Sequence, residues 1–277
     1  MPNEMDHQQH QPEGSSPASA SPTSRRSGSK PASDPRTSRS VSLVLQGKGG
    51  CGKTFIASML AQSLKERGEP VLCLDTDPVN KSFSAIGSLG VERVELLDRD
   101  AVNVEAMNDV MSRIADEDTN VVMDNGAASF LPLLTYLLDT GLLDWLAAKG
   151  KRIVVHVPII GTEALADTAL CLEMMAEKLP AHVEIVPWLN PYFAPLVTTE
   201  GTPFEDTDLF QHCASRFAAT IRIPELNPRY SGACVKKMTK AAMTFDDARH
   251  SPQFSVISKL WLEQAWSGIN TQIEGVV

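Results

Sequence analysis

The stretch Val41-Ser-Leu-Val-Leu-Gln-Gly47-Lys48-Gly49-Gly50-Cys51-Gly52-Lys53-Thr54 constrains this chain more than any other. An apolar run meets four glycines in six positions, then Lys-Thr, then a helical pattern that opens at Phe55. Gly47, Gly52, Lys53 and Thr54 satisfy G-x-x-x-x-G-K-[ST], the phosphate-binding loop. Glycines let the backbone come close to a ligand, and successive N–H groups then form an anion nest at a positive helix N-terminus. In that pattern Lys53 reaches the β and γ phosphates and the Thr54 hydroxyl holds Mg²⁺. The same residues spell a rival. Gly47, Gly49 and Gly52 form G-x-G-x-x-G, and Asp75 follows at the distance of a ribose-binding acid, as in a nicotinamide-dependent oxidoreductase. Lys53-Thr54 favours the phosphate loop, because a dinucleotide turn has no use for a charged lysine there.

The 277 residues, 43% of them hydrophobic, suffice for one sizeable core. A formal charge of −9 argues against a chain coated in nucleic acid, though not against a local basic patch. Five cysteines with no C-x-x-C pair favour a reducing cytoplasm over a disulfide framework, zinc site or cluster scaffold. Residues 1–40 hold ten Ser, six Pro and no Val, Ile or Leu, so they are expected to form a disordered tail. Its cations (Arg25, Arg26, Lys30, Arg36, Arg39) offer a contact for nucleic acid or an acidic partner, with a solvated extension as the plainer reading.

From Val41 onward, short apolar runs alternate with helical segments. Strands are expected at 41–45, 71–75, 121–124, 153–157, 183–189 and 221–224. Helices are expected at 53–67, 103–117, 128–149 with a break at Gly141, 163–178, and over most of the remainder. This is an α/β pattern: a single domain over 41–277 with a mostly parallel sheet covered by helices on both faces. No segment is expected to insert into a membrane, since Asp139 and Asp144 interrupt even 128–149. Ligands of such sheets bind beyond the carboxyl ends of the strands, where Asp75 and Asp124 fall. Asp124 fits the Walker B role in a Mg²⁺ shell with Thr54. Asp75 is a further metal-shell candidate, and Asp77, two residues on, can turn toward the γ-phosphate.

With Lys48 inside the loop, the segment Gly47 to Thr54 resembles the deviant Walker A box of the ParA/MinD ATPases. Asp75-Thr-Asp77-Pro resembles their second box and Val-Val-Met-Asp124 their Walker B. The resemblance spans about residues 41–230. It implies a P-loop ATPase in which two subunits enclose two ATP molecules. Gly47, Lys48, Gly49, Gly50, Cys51, Gly52, Lys53, Thr54 and Phe55 then form the nucleotide loop. The catalytic residues are Lys48 acting across the dimer, Lys53 acting within its own subunit, and Asp77 helping to place the attacking water. Asn190, in Trp-Leu-Asn-Pro, and Pro224, in Ile-Pro-Glu, resemble the family's adenine contacts. Asp77-Pro-Val-Asn-Lys-Ser-Phe and Asp124-Asn-Gly-Ala-Ala-Ser-Phe look like the TraL/StbB-type ATPases of conjugative and mobilisable plasmids. That implies ATP and Mg²⁺ as cofactors, a homodimer, and nonspecific DNA or a plasmid transfer or partition protein as partner. A scaffold that binds nucleotide without hydrolysis is the remaining alternative.

Two C-terminal features complete the reading. Phe254, Ile257, Trp261, Ala265, Ile269 and Ile273 are spaced as a core-facing stripe, and their polar face lacks the cations of a membrane-binding helix. Arg229, Lys236, Lys237, Lys240 and Arg249 form a basic group that Asp246 and Asp247 dilute; it reads equally as a DNA surface or a solvated face.

Overall fold

The computed structural model describes residues 39–98, 101–161 and 163–277. The tail expected over 1–40 therefore lies outside the described residues, apart from its last two. Those two belong to the fold. Ser40 opens β1 (Ser40–Val44), and its N–H and hydroxyl donate to Asn120 Oδ1. Arg39 pairs with Asp118 instead of standing free as a nucleic-acid contact.

In chain order, β1 leads to α1 (Lys53–Glu66), β2 (Val71–Asp75), β3 (Glu92–Arg93), a hairpin of β4 (Leu97–Asp98) and β5 (Ala101–Val102), and α2 (Val104–Asp116). Then come β6 (Asn120–Asp124), α3 (Phe130–Asp139), α4 (Leu142–Ala148), β7 (Arg152–Ile160), α5 (Leu165–Lys178) and β8 (Glu184–Asn190). The chain finishes with α6 (Asp208–Cys213), β9 (Ile221–Arg222), α7 (Ser231–Lys240), α8 (Phe245–His250) and α9 (Val256–Ile273). Seven strands form one sheet in the order β3-β2-β6-β1-β7-β8-β9, every neighbouring pair parallel.

Strand side chains alternate between two apolar layers, as period-two pleating requires. Val41, Leu43, Leu72, Leu74, Val121, Met123 and Ile153 face the layer that includes α2, α3, α4 and α5. Val44, Cys73, Val122, Val154, Val186 and Trp188 face the layer that includes α1, α7, α8 and α9. This second layer holds one buried imidazole. His156 Nδ1 accepts from Trp188 Nε1 at 3.0 Å, and burial pushes the imidazole down to about 3, so the ring stays neutral.

Most expected elements lie within a residue or two of their assigned places, and Gly141 sits left-handed (φ 67) at the break between α3 and α4. No single helix among the described residues is long and apolar enough to cross a membrane. Two expectations change. Strand β7 continues past Val157 through Pro158, because the β1 ladder has stopped two residues earlier at Val44–His156, where the proline's missing N–H is no loss. The C-terminal stripe faces the core as expected at Phe254, Ala265, Ile269 and Ile273, with Trp261 packed against it, and departs at Ile257. A spacing of four drifts by about 40° per step around an α-helix, so Ile257 and Ile273 cannot share a face. The buried set is Leu262, Ala265, Trp266, Ile269 and Ile273, while Ile257 is 54% exposed.

Candidate nucleotide site

The phosphate loop joins the central strand β1 to α1. Gly50 (φ 73) and Gly52 (φ 98) are left-handed, a region closed to most residues with a Cβ. Gly52 is also the helix N-cap and supplies no side chain, so the first N–H groups of α1 are left for a ligand. The two lysines of the loop diverge. Lys53 is buried and its Nζ donates to the Lys48 carbonyl at 3.0 Å, inside the loop. Lys48 points outward, its Nζ 2.8 Å from Asp167 Oδ2 on the first turn of α5, and that hydrogen bond holds its ammonium above the ordinary lysine value. Cys51 is fully buried under the loop, its thiol pushed up by burial and hydrogen-bonded to the Lys48 carbonyl. Gly47 lies against the Phe130 ring, and Gly49 has open space around it.

The strand-end carboxylates separate into distinct states. Thr54 Oγ1 donates to Asp124 Oδ2 at 2.6 Å, while Asp124 Oδ1 is buried with no partner. Burial, reinforced by Asp75, pushes the Asp124 carboxyl up to about 7, with the Thr54 hydrogen bond pulling the other way. An orphaned carboxylate oxygen beside a threonine hydroxyl fits a divalent cation, which would take the place of the missing partner. Asp75, the further candidate for that shell, stands beside Asp124 on the neighbouring strand and also has a structural task. Its two oxygens accept the backbone N–H groups of Asp77 and Ser84, so it organises the loop that follows β2.

Asp77 Oδ1 accepts from the N–H groups of Val79 and Asn80, and Oδ2 accepts from Asn80 Nδ2. Burial pushes its carboxyl up, but these hydrogen bonds outweigh it and hold the group below its ordinary value. Sequence reasoning missed what presses against Asp77. A Cβ at Gly126 would lie 2.9 Å from both Asp77 Cγ and Oδ1. Asn125 Oδ1 accepts from Thr76 Oγ1 and Ser129 Oγ, tying the turn after β6 to the one after β2. The triplet Asp-Asn-Gly at the end of a strand was the available signal.

Two adjoining cavities complete the cleft. One, about 550 Å³, is lined by the phosphate loop, Thr54, Asp77 and Asn80. The other, about 400 Å³, is mostly apolar and is lined by Asn190, Tyr192, Phe193, Ile223, Pro224 and Lys236 among others. Gly52, Phe55 and Thr239 border both. Asn190 and Pro224 are thus brought to the phosphate loop from distant sequence. The C-terminal cations are dispersed: Lys236 and Lys240 rim the apolar cavity, Lys237 donates to the Gln253 carbonyl, and Arg249 pairs with Asp246. Among the described residues all five cysteines are free and buried, and no group of three or more His, Cys, Asp or Glu could hold a metal ion.

A loop of this kind between the central strand and the helix that follows it places the chain among the P-loop nucleotide-binding proteins. Residues 43–156 match the CobQ/CobB/MinD/ParA nucleotide binding domain. Two Escherichia coli proteins, each called Protein TraL, are 35% and 34% identical over 234 residues, which is 84% of this chain and 97% of each relative. The chain belongs to the TraL family, within the ParA/MinD class of P-loop ATPases. The crystal structure of the Pyrococcus furiosus cell division ATPase MinD shares the fold, with a TM-score of 0.50 and 17% identity over 86% of this chain and 99% of that one.

Proposed function

We propose that the protein is a Mg²⁺-dependent ATP-binding and hydrolysing switch that dimerises on ATP. The cytoplasm is its place of action, and plasmid conjugation, mobilisation or stability its setting. The carrying observation is the divergence of the two loop lysines. Lys53 lies within its own loop, whereas Lys48 extends away from it to Asp167. A groove of about 420 Å³ beside Lys48 runs between α3 and α5, flanked by Leu131 and Leu170, each 58% exposed, and suits a second copy of the chain. The plasmid setting rests on the TraL relatives. A plasmid transfer or partition protein, or nonspecific DNA, is the partner this reading expects.

In this reading Thr54 and Asp124 hold the cation, which would neutralise charge on the phosphates. Lys53 and the α1 N-terminus bind the phosphates, and Asn190 and Pro224 border the base. Asp77, its carboxyl ionised and held by the turn, orients the attacking water. Hydrolysis is slow until a partner's Lys48 arrives, so the reaction times the dimer's lifetime.

Light scattering and phosphate release test this together. Lys48→Ala should bind ATP, fail to dimerise and lose turnover. Asp77→Ala should bind ATP and dimerise, but persist as the dimer. A Lys48→Ala protein that dimerises and turns over like the parent would overturn the trans-lysine mechanism. A parent that binds ATP yet never hydrolyses it, with DNA or without, would install the scaffold reading.

A further inference from the structure

The apolar cavity has a wall that phosphate chemistry does not need. Tyr192 and Phe193 follow β8 with their rings perpendicular, centroids 5.1 Å apart, and each residue is 48% exposed. Two adjacent aromatic residues at a cavity mouth leave apolar surface in water, which is unfavourable until something covers it.

The backbone beneath them is fixed to the phosphate loop. Asn190 Oδ1 accepts the Tyr192 N–H at 3.1 Å, and Asn190 Nδ2 donates to the Cys51 carbonyl at 3.5 Å. Further on, a Cβ at Gly161 would come within 2.4 Å of the Ala194 and Pro195 carbonyl oxygens, so this loop packs closely on the end of β7. The aromatic pair is thus held next to the phosphate loop. Pro224 also lines the cavity, and Lys236 and Lys240, one turn apart on α7, supply positive charge at its rim. Asn190 thus ties the backbone of the aromatic pair to the phosphate loop.

We propose that Tyr192 and Phe193 form a stacking wall for the base of the bound nucleotide. The inference rests on the nucleoside triphosphate reading of the cleft and adds the part that grips the base. Stacking on an aromatic ring uses the π-face of a base, so the tyrosine hydroxyl is dispensable. Both residues are exposed in the ligand-free protein, and their replacement leaves the core intact.

Calorimetric titration of the full chain with Mg-ATP and with inorganic tripolyphosphate separates the base from the phosphates. The double variant Tyr192→Ala/Phe193→Ala should lose about ten-fold or more in ATP affinity, the scale of one stacked base. Its tripolyphosphate affinity and ligand-free melting temperature should stay at the parent's values, and Tyr192→Phe should bind ATP like the parent. Unchanged ATP affinity in the double variant overturns the wall while leaving the triphosphate cleft in place. An equal loss for tripolyphosphate also overturns it, by showing that the pair only shapes the loop. A parent that binds neither ligand overturns the cleft reading itself, and the wall with it.

Discussion

Asp75 at the end of β2 and Asp124 at the end of β6 are register partners on neighbouring parallel strands, and both are buried. They share residue type, depth and the same edge of the sheet, yet their hydrogen bonding is opposite. Asp75 has each oxygen on a backbone N–H of the loop that follows it. Asp124 has one oxygen on Thr54 and the other on nothing. A carboxylate satisfied by backbone holds the chain in shape. One left short of a partner in the interior is kept at a cost in stability, which points to a ligand that completes it. The contrast gives Asp75 a part in shaping the loop and leaves Asp124 as the one with an open oxygen.

The largest expected effect lies at Asp124. Asp124→Asn should lower Mg²⁺-dependent hydrolysis by about 100-fold, on the scale of metal-site support residues. Because the folded carboxyl sits near 7, above its ordinary value, this group favours folding at low pH and loses that contribution as pH rises through about 7. The ligand-free parent should therefore melt lower at pH 8 than at pH 6 on account of this residue, and Asp124→Asn should flatten that slope. A cation must displace the proton below pH 7, so parent turnover should show an acid limb there. Turnover in Asp124→Asn at the parent's rate would break the comparison.

Asp75→Ala comes next. It strands two backbone N–H groups, a loss of about 2–4 kcal/mol in urea unfolding. Parent-like stability would show that the loop needs no such anchor. The smallest effect is expected at Gly126→Ala, whose new methyl meets the Asp77 carboxylate and should cost about 1 kcal/mol. ATP binding should persist while hydrolysis falls several-fold. An unaltered rate would detach Asp77 from the chemistry and sharpen the role of Asp124.

What could be read in the sequence was local. The phosphate loop, the helix after it and the strand Val71–Asp75 follow from spacing within a few residues. The states of the two aspartates were not legible, because they depend on which backbone N–H groups the fold delivers, as Ser84 shows from nine residues away. The extension of β7 through Pro158 depended on where its neighbour stopped. Asn190 was legible only through resemblance; its approach to Cys51 brings together residues 139 apart in sequence. The core-facing stripe of α9 was legible except at Ile257, because four-residue spacing winds around the helix and carries its first member off the buried face.

Helix α1 has one more consequence. Its N-terminus is the phosphate nest, while its far half is fastened elsewhere. Gln62 accepts the Phe245 N–H, Lys65 donates to the carbonyls of Ser88 and Leu89, and Glu66 accepts the Trp266 indole N–H at 2.9 Å. Fourteen residues make a rod of about 21 Å. Any tilt of that rod as the cleft fills is delivered to the indole at its other end. Trp266, stacked on Phe245 with ring centroids 5.0 Å apart, is therefore placed to feel such a tilt, and its fluorescence should report it once the signals of Trp145, Trp188 and Trp261 are subtracted with a Trp266→Phe control.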